Sequence, residues 1–319
     1  MNNYLKLVRL PNLIIIALTQ YVMRYFIIQP ILSINGIKLQ LSDVDFAILV
    51  AATVLMAAAG YIINDYFDTK ADRFNKKEVI VGRKIPRRVA LILQQVLAAM
   101  SMFLAGYVSH KIGHWQFVFI FFMGGGLLWF YSTSYKYYFL LGSFLMALVI
   151  AAIPFLVVIF EIPPLAEKYA EVLVATKTNF NYLLYWVGAF SFFSFFGALI
   201  AQFIRDLVSI KGDREISRNS LPIVIGLKWS KVVIIVLILF LSVSVFGIWY
   251  QFLNAPMDQI TPWYFGLLII LPLLILVYRV YKFSEGDKFR GAIYLMRFAI
   301  LSGISYSFVV NYIITHTHF

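Results

Sequence analysis

Cysteine is absent from the sequence, and charged residues make up only 13% of its 319 positions. Without cysteine, the chain has no disulfides, no zinc sites built from thiolates and no thiol nucleophile. Any chemistry must therefore come from carboxylates, amides, hydroxyls, cations or a bound metal. The scarcity of charge also argues against a soluble domain, in which about a quarter of the residues are charged.

Hydrophobic residues account for 62% of the sequence. Segments of about 20 apolar residues, the length that crosses a bilayer, recur along the chain. They predict an all-α polytopic membrane protein, a single domain over residues 1–319 with nine transmembrane helices. The segments are residues 11–33, 44–64, 89–109, 113–132, 139–160, 182–204, 231–251, 263–281 and 292–314.

Lysine and arginine are unevenly distributed between the predicted loops. If the amino terminus is cytoplasmic, the basic clusters within 70–88, 205–231 and 279–290 all fall on the cytoplasmic side, the first two in loops predicted at about 64–88 and 205–230. The opposite side carries only Lys38, Lys111, Lys168 and Lys177. Because cytoplasmic loops are enriched in these residues, we expect this orientation in a bacterial or archaeal cell membrane. The net charge of +12 then reflects topology, and no nucleic-acid partner is expected.

Acidic and amide side chains cluster where the second predicted helix leaves the membrane. The cluster consists of Asn64, Asp65, Asp68 and Asp72. Positions 64, 68 and 72 advance four residues at a time, so they form one stripe on a helix, where like charges repel. A bound cation would remove this repulsion, and Mg²⁺ prefers oxygen ligands of this kind.

A second acidic cluster begins where the sixth predicted helix ends. Asp206 and Asp213 are two helical turns apart, with Ser209 between them on the same face. An even number of predicted helices separates the two clusters, so we expect both on one membrane side, facing each other across a cavity. In the alternative interpretation, each cluster is a solvated helix end.

Several cations accompany the acidic clusters and would donate hydrogen bonds to the phosphate oxygens of a Mg²⁺-bound ligand. The candidates are Arg73, Lys136, Arg205 and Lys211, each of which also fits the role of a membrane anchor. Arg24 lies within the first predicted helix, where a charge is costly and marks a functional or paired position. It is a candidate for binding an acceptor phosphate. The alternatives for Arg24 are pairing with a buried carbonyl and snorkelling.

The two clusters resemble the motifs of the UbiA superfamily of intramembrane prenyltransferases, N-D-x-x-D-x-x-x-D and D-x-x-D-x-x-x-D. Residues 64–72 match the first motif completely, whereas Ser209 stands at the middle aspartate of the second. Residues 9–12 and 131–142, a segment that begins at Tyr131, are also similar to the family. The resemblance covers most of the chain.

This resemblance implies a UbiA-like arrangement of nine helices around a central cavity, with Mg²⁺-dependent transfer of a prenyl group from an allylic diphosphate. The implied metal ligands are Asn64, Asp68, Asp206 and Asp213. The implied catalytic residues are Asp68, Asp206, Asp213, Arg73 and Lys136. The implied substrate contacts are Asn64, Asp65, Asp72, Ser209, Arg205, Lys211, Arg24 and Tyr131.

The resemblance specifies the acceptor less closely than the prenyl diphosphate donor. Residues 64–68 are most similar to the ether-lipid branch of the family, so we expect a geranylgeranyl donor and geranylgeranylglyceryl phosphate as the lipid acceptor. An aromatic acceptor, as in quinone biosynthesis, is the alternative within the family. Acidic residues can also line the ion path of a transporter, but these lie at helix ends and not near the midplane, where transporter sites are usually found.

Overall fold

The computed structural model describes residues 3–74, 78–253, 258–282 and 289–316, and one isolated bridge, between Val81 and Ile85, is the only β-type pairing within them. Nine helices of this described part are long and apolar enough to cross a membrane. In chain order they are α1 (Leu10–Ser33), α2 (Asp43–Phe67), α3 (Arg87–Lys111), α4 (Trp115–Thr133), α5 (Leu141–Lys168), α6 (Asn181–Glu215), α7 (Gly226–Gln251), α8 (Ile260–Lys282) and α9 (Gly291–His316). The predicted all-α, multi-pass membrane protein is confirmed.

Two helices continue beyond the apolar segments that predicted them. α2 ends at Phe67 and α6 ends at Glu215, so the acidic clusters lie largely on helices. The loops expected at about 64–88 and 205–230 therefore begin later in the chain. Residues 75–77 of the first predicted loop lie outside the described residues. α6 can continue because its polar end is amphipathic: Asp213 is buried, whereas Lys211 is exposed.

The chain divides into two compact units. Unit 1 comprises Met1–Tyr135 and Ala152–Gly188, and unit 2 comprises Lys136–Ala151 and Ala189–Phe319. That residues 1–319 form one domain around a central cavity stays a prediction.

In unit 1, α2 packs against α3 and α4. Its amino-terminal end is capped by Ser42, whose hydroxyl accepts a hydrogen bond from the Asp45 N–H at 3.0 Å. The buried Ser101 hydroxyl of α3 donates to the Ala52 carbonyl of α2 at 2.6 Å. Gly60 lets α4 approach closely, because a Cβ there would lie 2.9 Å from Leu128 Cδ1. These contacts fix the rotation of the helix that carries the first acidic cluster.

In unit 2, the later part of α6 contacts α7, where the ring centres of Phe196 and Phe240 lie 5.0 Å apart, and α8 packs against α7 and α9. A Cβ at Gly197 of α6 would lie 3.0 Å from Ile300 Cγ1 of α9, so these two helices also approach closely. A buried hydrogen bond of 3.0 Å joins the Thr261 and Tyr306 hydroxyls of α8 and α9. This packing supports α6, the helix that carries the second acidic cluster.

Candidate active site

The first motif lies at the carboxyl-terminal end of α2. The Asp68 N–H donates to the Asn64 carbonyl, and the Asp72 N–H donates to the Asp68 carbonyl, both at 2.9 Å. The short helix Thr69–Phe74 therefore continues the helical spacing that the sequence predicted, and Arg73 is exposed near its end. Carboxylate and amide groups thus follow one another at successive turns.

Two side chains of the first motif have well-defined surroundings. The Asn64 Oδ1 atom is buried and has no hydrogen-bond partner among the described residues. Asp65 Oδ1 accepts a hydrogen bond from Arg9 Nη2 at 2.7 Å, and the Arg9 guanidinium lies 4.9 Å from the centre of the Tyr61 ring. Burial lowers the pKa of Arg9, but the charge and hydrogen bond of Asp65, together with Tyr61 and Asp72, raise it above its ordinary value.

The segment before α1 is held beside the segment that follows the first motif. Leu7 shares a buried apolar cluster with Ile62 of α2 and with Ile80, Val81, Ile85 and Ala90. Lys6 Nζ lies 3.1 Å from Glu78 Oε2, and Lys84 contacts the same carboxylate. The hydrogen bonds from Lys84 and Lys6 lower the pKa of Glu78. Apolar burial and a charged contact therefore both stabilise this arrangement.

Arg24 of α1 lies beside the amino-terminal end of α2, 3.6 Å from Asp43, whereas the first motif lies at the carboxyl-terminal end of that helix. It is buried in a π-helical turn, its guanidinium donates to the Leu41 carbonyl, and its Nη1 lies 3.5 Å from Glu161 Oε2. The stretch of α2 between Asp43 and Asn64 is about 30 Å long at 1.5 Å per residue. These contacts match the alternative in which Arg24 pairs with a buried carbonyl, and they lie far from Asn64. Tyr131 is half-buried near the end of α4.

The second motif forms a compact ionic cluster in unit 2. Asp206 and Asp213 are 1% and 2% exposed. Asp206 Oδ1 accepts hydrogen bonds from Arg218 Nη2 at 3.2 Å and from Gln202 Nε2 at 3.3 Å. Asp213 Oδ1 lies 3.5 Å from Arg218 Nη1, and its Oδ2 lies 3.0 Å from the Ser209 hydroxyl. One guanidinium thus contacts both carboxylates, and Ser209 supports one of them.

Lys136 belongs to the same cluster. It lies in a 3₁₀ turn, is 4% exposed, and its carbonyl accepts a hydrogen bond from Arg218 Nε at 2.9 Å. The buried Ser220 hydroxyl has no hydrogen-bond partner among the described residues. The polar residues lining a small cavity here are Lys136, Ser143, Asp206, Arg218, Asn219 and Ser220. The sequence predicted Lys136 only as one of four cations that accompany the acidic clusters, and the structure places it beside the second. Its role toward a substrate phosphate stays a prediction.

Arg205 and Lys211, two further cations predicted to accompany the acidic clusters, have different surroundings from Lys136. Arg205 hydrogen-bonds through Nε and Nη2 to Gln202 Oε1, at 3.2 and 2.8 Å. Gln202 in turn donates to Asp206, so Arg205 is linked to that carboxylate through one side chain. Lys211 is exposed on α6.

Three residues of these clusters were not predicted as site residues. Arg9 was noted only as part of residues 9–12, which resemble the family. Arg218 was counted among the topological cations of the loop after α6. Nothing in the sequence singled out Ser220 as a site residue. The position of Arg218, five residues after Asp213, would have suggested a contact only if the chain were known to turn back on α6 there. The backbone does so at Ser217, which has a left-handed conformation with φ of 54°.

No group of three or more histidine, cysteine, aspartate or glutamate side chains in the described parts of the chain is arranged to hold a metal by itself. The predicted ligand set differs from such a group, because it combines the Asn64 amide with carboxylates from both motifs. The buried Asn64 oxygen and the oxygen-only chemistry of these side chains fit a hard cation such as Mg²⁺.

Comparison with known proteins gives consistent results. A model of the UbiA prenyltransferase family matches residues 37–301, which include both motifs. The digeranylgeranylglyceryl phosphate synthase of Methanothermobacter thermautotrophicus is 26% identical over 191 residues. That alignment covers 59% of either chain, so our chain spans less than two thirds of this relative's length.

Solved structures of similar fold cover nearly the whole chain. A structure described as digeranylgeranylglyceryl phosphate synthase in membranes has a TM-score of 0.62 and 18% identity, covering 96% of our chain and 98% of its own. A UbiA homologue from Archaeoglobus fulgidus bound to DMAPP and Mg²⁺ has a TM-score of 0.56 and 17% identity, with 98% and 100% covered. At these identities the similarity establishes the fold.

Proposed function

Because the chain belongs to the UbiA prenyltransferase family, we propose that it transfers a prenyl group from an allylic diphosphate to an acceptor and releases pyrophosphate. The observation that carries this proposal is the pair of oxygen-rich motifs. One has a buried amide oxygen without a partner at Asn64, and the other has two buried carboxylates at Asp206 and Asp213. Placing an ionisable group within the membrane costs free energy, so such residues usually have a function.

We assign Mg²⁺ as the cofactor and Asn64, Asp68, Asp206 and Asp213 as its ligands. The donor set supports this assignment, because carboxylate and amide oxygens suit a hard divalent cation that shares its shell with phosphates. The Archaeoglobus fulgidus homologue was solved with DMAPP and Mg²⁺. When bound, Mg²⁺ would neutralise the charge that develops on the leaving pyrophosphate.

The residues of the chain then have separate roles. Lys136 and Arg73 donate to phosphate oxygens as the allylic C–O bond breaks, with Arg205 and Lys211 as further cations. Asp65, Asp72 and Ser209 orient these groups, and Tyr131 contacts the substrate. Arg9 supports this scheme by holding the Asp65 carboxylate in place at 2.7 Å. The role of Arg24 is structural in this scheme, because its partners are Leu41 and Glu161.

For the acceptor, we propose geranylgeranylglyceryl phosphate, with a geranylgeranyl donor. The M. thermautotrophicus relative that carries the corresponding name supports this choice, although the alignment covers 59% of its length. The enzyme would lie in the cell membrane with both motifs on the cytoplasmic face. The concentration of lysine and arginine in the segments that contain the motifs supports that orientation.

The acceptor proposal is tested with purified protein, labelled geranylgeranyl diphosphate and a panel of acceptors. We expect a labelled lipid product with geranylgeranylglyceryl phosphate and only in the presence of Mg²⁺. Hydroxybenzoate and naphthoate serve as aromatic comparators. A product from an aromatic acceptor and none from the ether lipid would overturn the acceptor while preserving prenyl transfer.

A further inference from the structure

Arg218 uses all three nitrogens of its guanidinium on different partners. Nε donates to the Lys136 carbonyl at 2.9 Å, Nη2 donates to Asp206 at 3.2 Å, and Nη1 lies 3.5 Å from Asp213. Charge-assisted hydrogen bonds to carboxylates are usually about 2.7–2.9 Å long. Of these three contacts the one to the backbone is the shortest, and the two to carboxylates are longer than usual for charged partners.

The charge balance of the cluster explains why Arg218 is there. Two ionised carboxylates as deeply buried as Asp206 and Asp213 need compensation by a cation. Because Ser209 stands between them, the motif presents two carboxylates, and Arg218 contacts both while Lys136 adds a second positive charge to the cluster. A divalent cation would compete with Arg218 for the same oxygens, and the guanidinium would then need another anion.

The side chains that line the small cavity beside Arg218 have the chemistry to bind such an anion, and the cavity, which has room for about one water, would widen as the guanidinium leaves the carboxylates. Lys136 and Ser220 line it together with Arg218, and both are at least nine-tenths buried. The Ser220 hydroxyl has no hydrogen-bond partner within the described residues. A buried polar group without a partner is costly, and its presence at a cavity points to a ligand. Two cations and a hydroxyl donor together favour a phosphate group.

We propose that Arg218, Lys136 and Ser220 form a phosphate-binding subsite, and that Arg218 exchanges the carboxylates of Asp206 and Asp213 for a substrate phosphate when a divalent cation binds the second motif. This inference rests on the proposed function and adds Arg218 and Ser220 to the binding residues. The bond of Arg218 Nε to the Lys136 carbonyl holds the guanidinium at the cavity while its other nitrogens change partners.

The metal arm of the test measures Mn²⁺ binding by electron paramagnetic resonance on purified full-length protein without pyrophosphate. Arg218→Gln removes the competing cation, so we expect Mn²⁺ to bind about tenfold more tightly, the effect of one charged hydrogen bond. Arg218→Lys retains the charge and should give an intermediate affinity. Arg214→Gln, an exposed neighbour on α6, is the matched control and should leave Mn²⁺ affinity unchanged. Unchanged or weaker Mn²⁺ binding by Arg218→Gln would overturn the exchange.

The phosphate arm measures pyrophosphate binding by calorimetry at a fixed Mg²⁺ concentration. Arg218→Gln should weaken binding about tenfold, and Ser220→Ala about threefold, as expected for a charged and a neutral hydrogen bond. Ser220→Ala should leave Mn²⁺ affinity unchanged, which separates the subsite from general damage. If Arg218→Gln does not fold, Arg218→Lys and Ser220→Ala decide the question. Wild-type pyrophosphate affinity in both would overturn the subsite.

Steady-state kinetics distinguish the two sources of phosphate. A donor subsite raises the KM for the prenyl diphosphate in Ser220→Ala, whereas an acceptor subsite raises the KM for the phospholipid acceptor. The proposed function can fail separately: wild-type protein that binds pyrophosphate through Arg218 but transfers no prenyl group would retain the subsite and refute the enzyme activity. If wild-type protein transfers the prenyl group while every variant binds pyrophosphate normally, the enzyme activity is retained and the subsite is refuted.

Discussion

At the scale of single residues, charged side chains connect the two ends of the first motif to the rest of unit 1. Arg9 holds Asp65 from the segment before α1, and Glu78 contacts Lys6 and Lys84 on the other side of the motif. The Arg9–Asp65 and Lys6–Glu78 contacts join residues that are distant in sequence, whereas Lys84 is six residues from Glu78. Together they hold the segment before α1 next to the motif, so changes in the charge of these residues should affect how firmly that segment is attached.

The first prediction concerns the pH dependence of the Glu78 contact. Its pKa is lowered in the folded protein, so the contact stabilises the fold above the ordinary carboxyl pKa and is lost as the pH falls through the folded-state pKa. Lys84→Gln should raise the pKa of Glu78 towards its ordinary value, with Lys6→Gln having a similar effect. The measurement is a ¹³C titration of labelled glutamate carboxyls, with Arg83→Gln as the exposed control. An unchanged pKa in both lysine variants would contradict the contact.

At the scale of helices, the position of Gly60 one turn before Asn64 is important. A Cβ at Gly60 would lie 2.9 Å from Leu128 Cδ1, so α4 packs directly on the stripe of α2 that leads to the first motif. Gly60→Val should destabilise the protein by about 1–3 kcal/mol, the usual effect of overpacking. Its side chain would also turn Asn64 away from its present direction, which lowers activity.

The measurement is thermal unfolding in detergent, compared with Gly126→Val. A Cβ at Gly126 meets nothing within 4 Å, although the residue lies on α4 in the same unit. Both substitutions change helix propensity in the same way, so the difference between them reports packing. Equal unfolding temperatures for the two variants would show that the approach of α4 to Gly60 is unimportant.

Helices and the first motif were predictable because they depend on local patterns. Apolar runs long enough to cross a bilayer fixed the number of helices, and the four-residue spacing of Asn64, Asp68 and Asp72 already implied a shared helical face. Pairing of Arg24 with a buried group was one of the alternatives, but the partners of Arg24 and Arg218 were not predictable. Each partner is brought near by the fold: Glu161 for Arg24 and the Lys136 carbonyl for Arg218. A count of basic residues could not separate Arg218 from the topological cations of its loop.

Helix ends were also poorly predicted, for a physical reason. Apolar composition marks where a chain leaves the bilayer, whereas a helix ends only where its hydrogen-bonded turns stop. α6 therefore continues to Glu215, past the last apolar residue of its predicted segment, and carries Asp206 and Asp213 with it. Prolines do not end α5, which contains Pro154, Pro163 and Pro164, since membrane helices tolerate proline when neighbouring groups satisfy the backbone.

At the scale of the whole molecule, the absence of cysteine makes the orientation directly measurable. Single cysteines introduced for Lys70 and Glu215, both exposed, should react with an impermeant thiol reagent only from the cytoplasmic side. Cysteines introduced for Lys38 and Lys177, also exposed, should react only from the opposite side. Labelling of Lys70→Cys and Glu215→Cys from different sides would contradict a shared membrane face for the two motifs.

The central claim is that both motifs serve one Mg²⁺-dependent reaction, and pyrophosphate release tests it most directly. Wild-type protein with geranylgeranyl diphosphate and acceptor should release pyrophosphate only with Mg²⁺. Asp68→Ala and Asp206→Ala should each lower the rate at least about a hundredfold, by analogy with the loss of a group that stabilises developing charge. Glu171→Ala, an exposed carboxylate in the short helix Ala170–Thr176, should retain the wild-type rate. Full pyrophosphate release by a folded Asp68→Ala or Asp206→Ala variant would contradict the account.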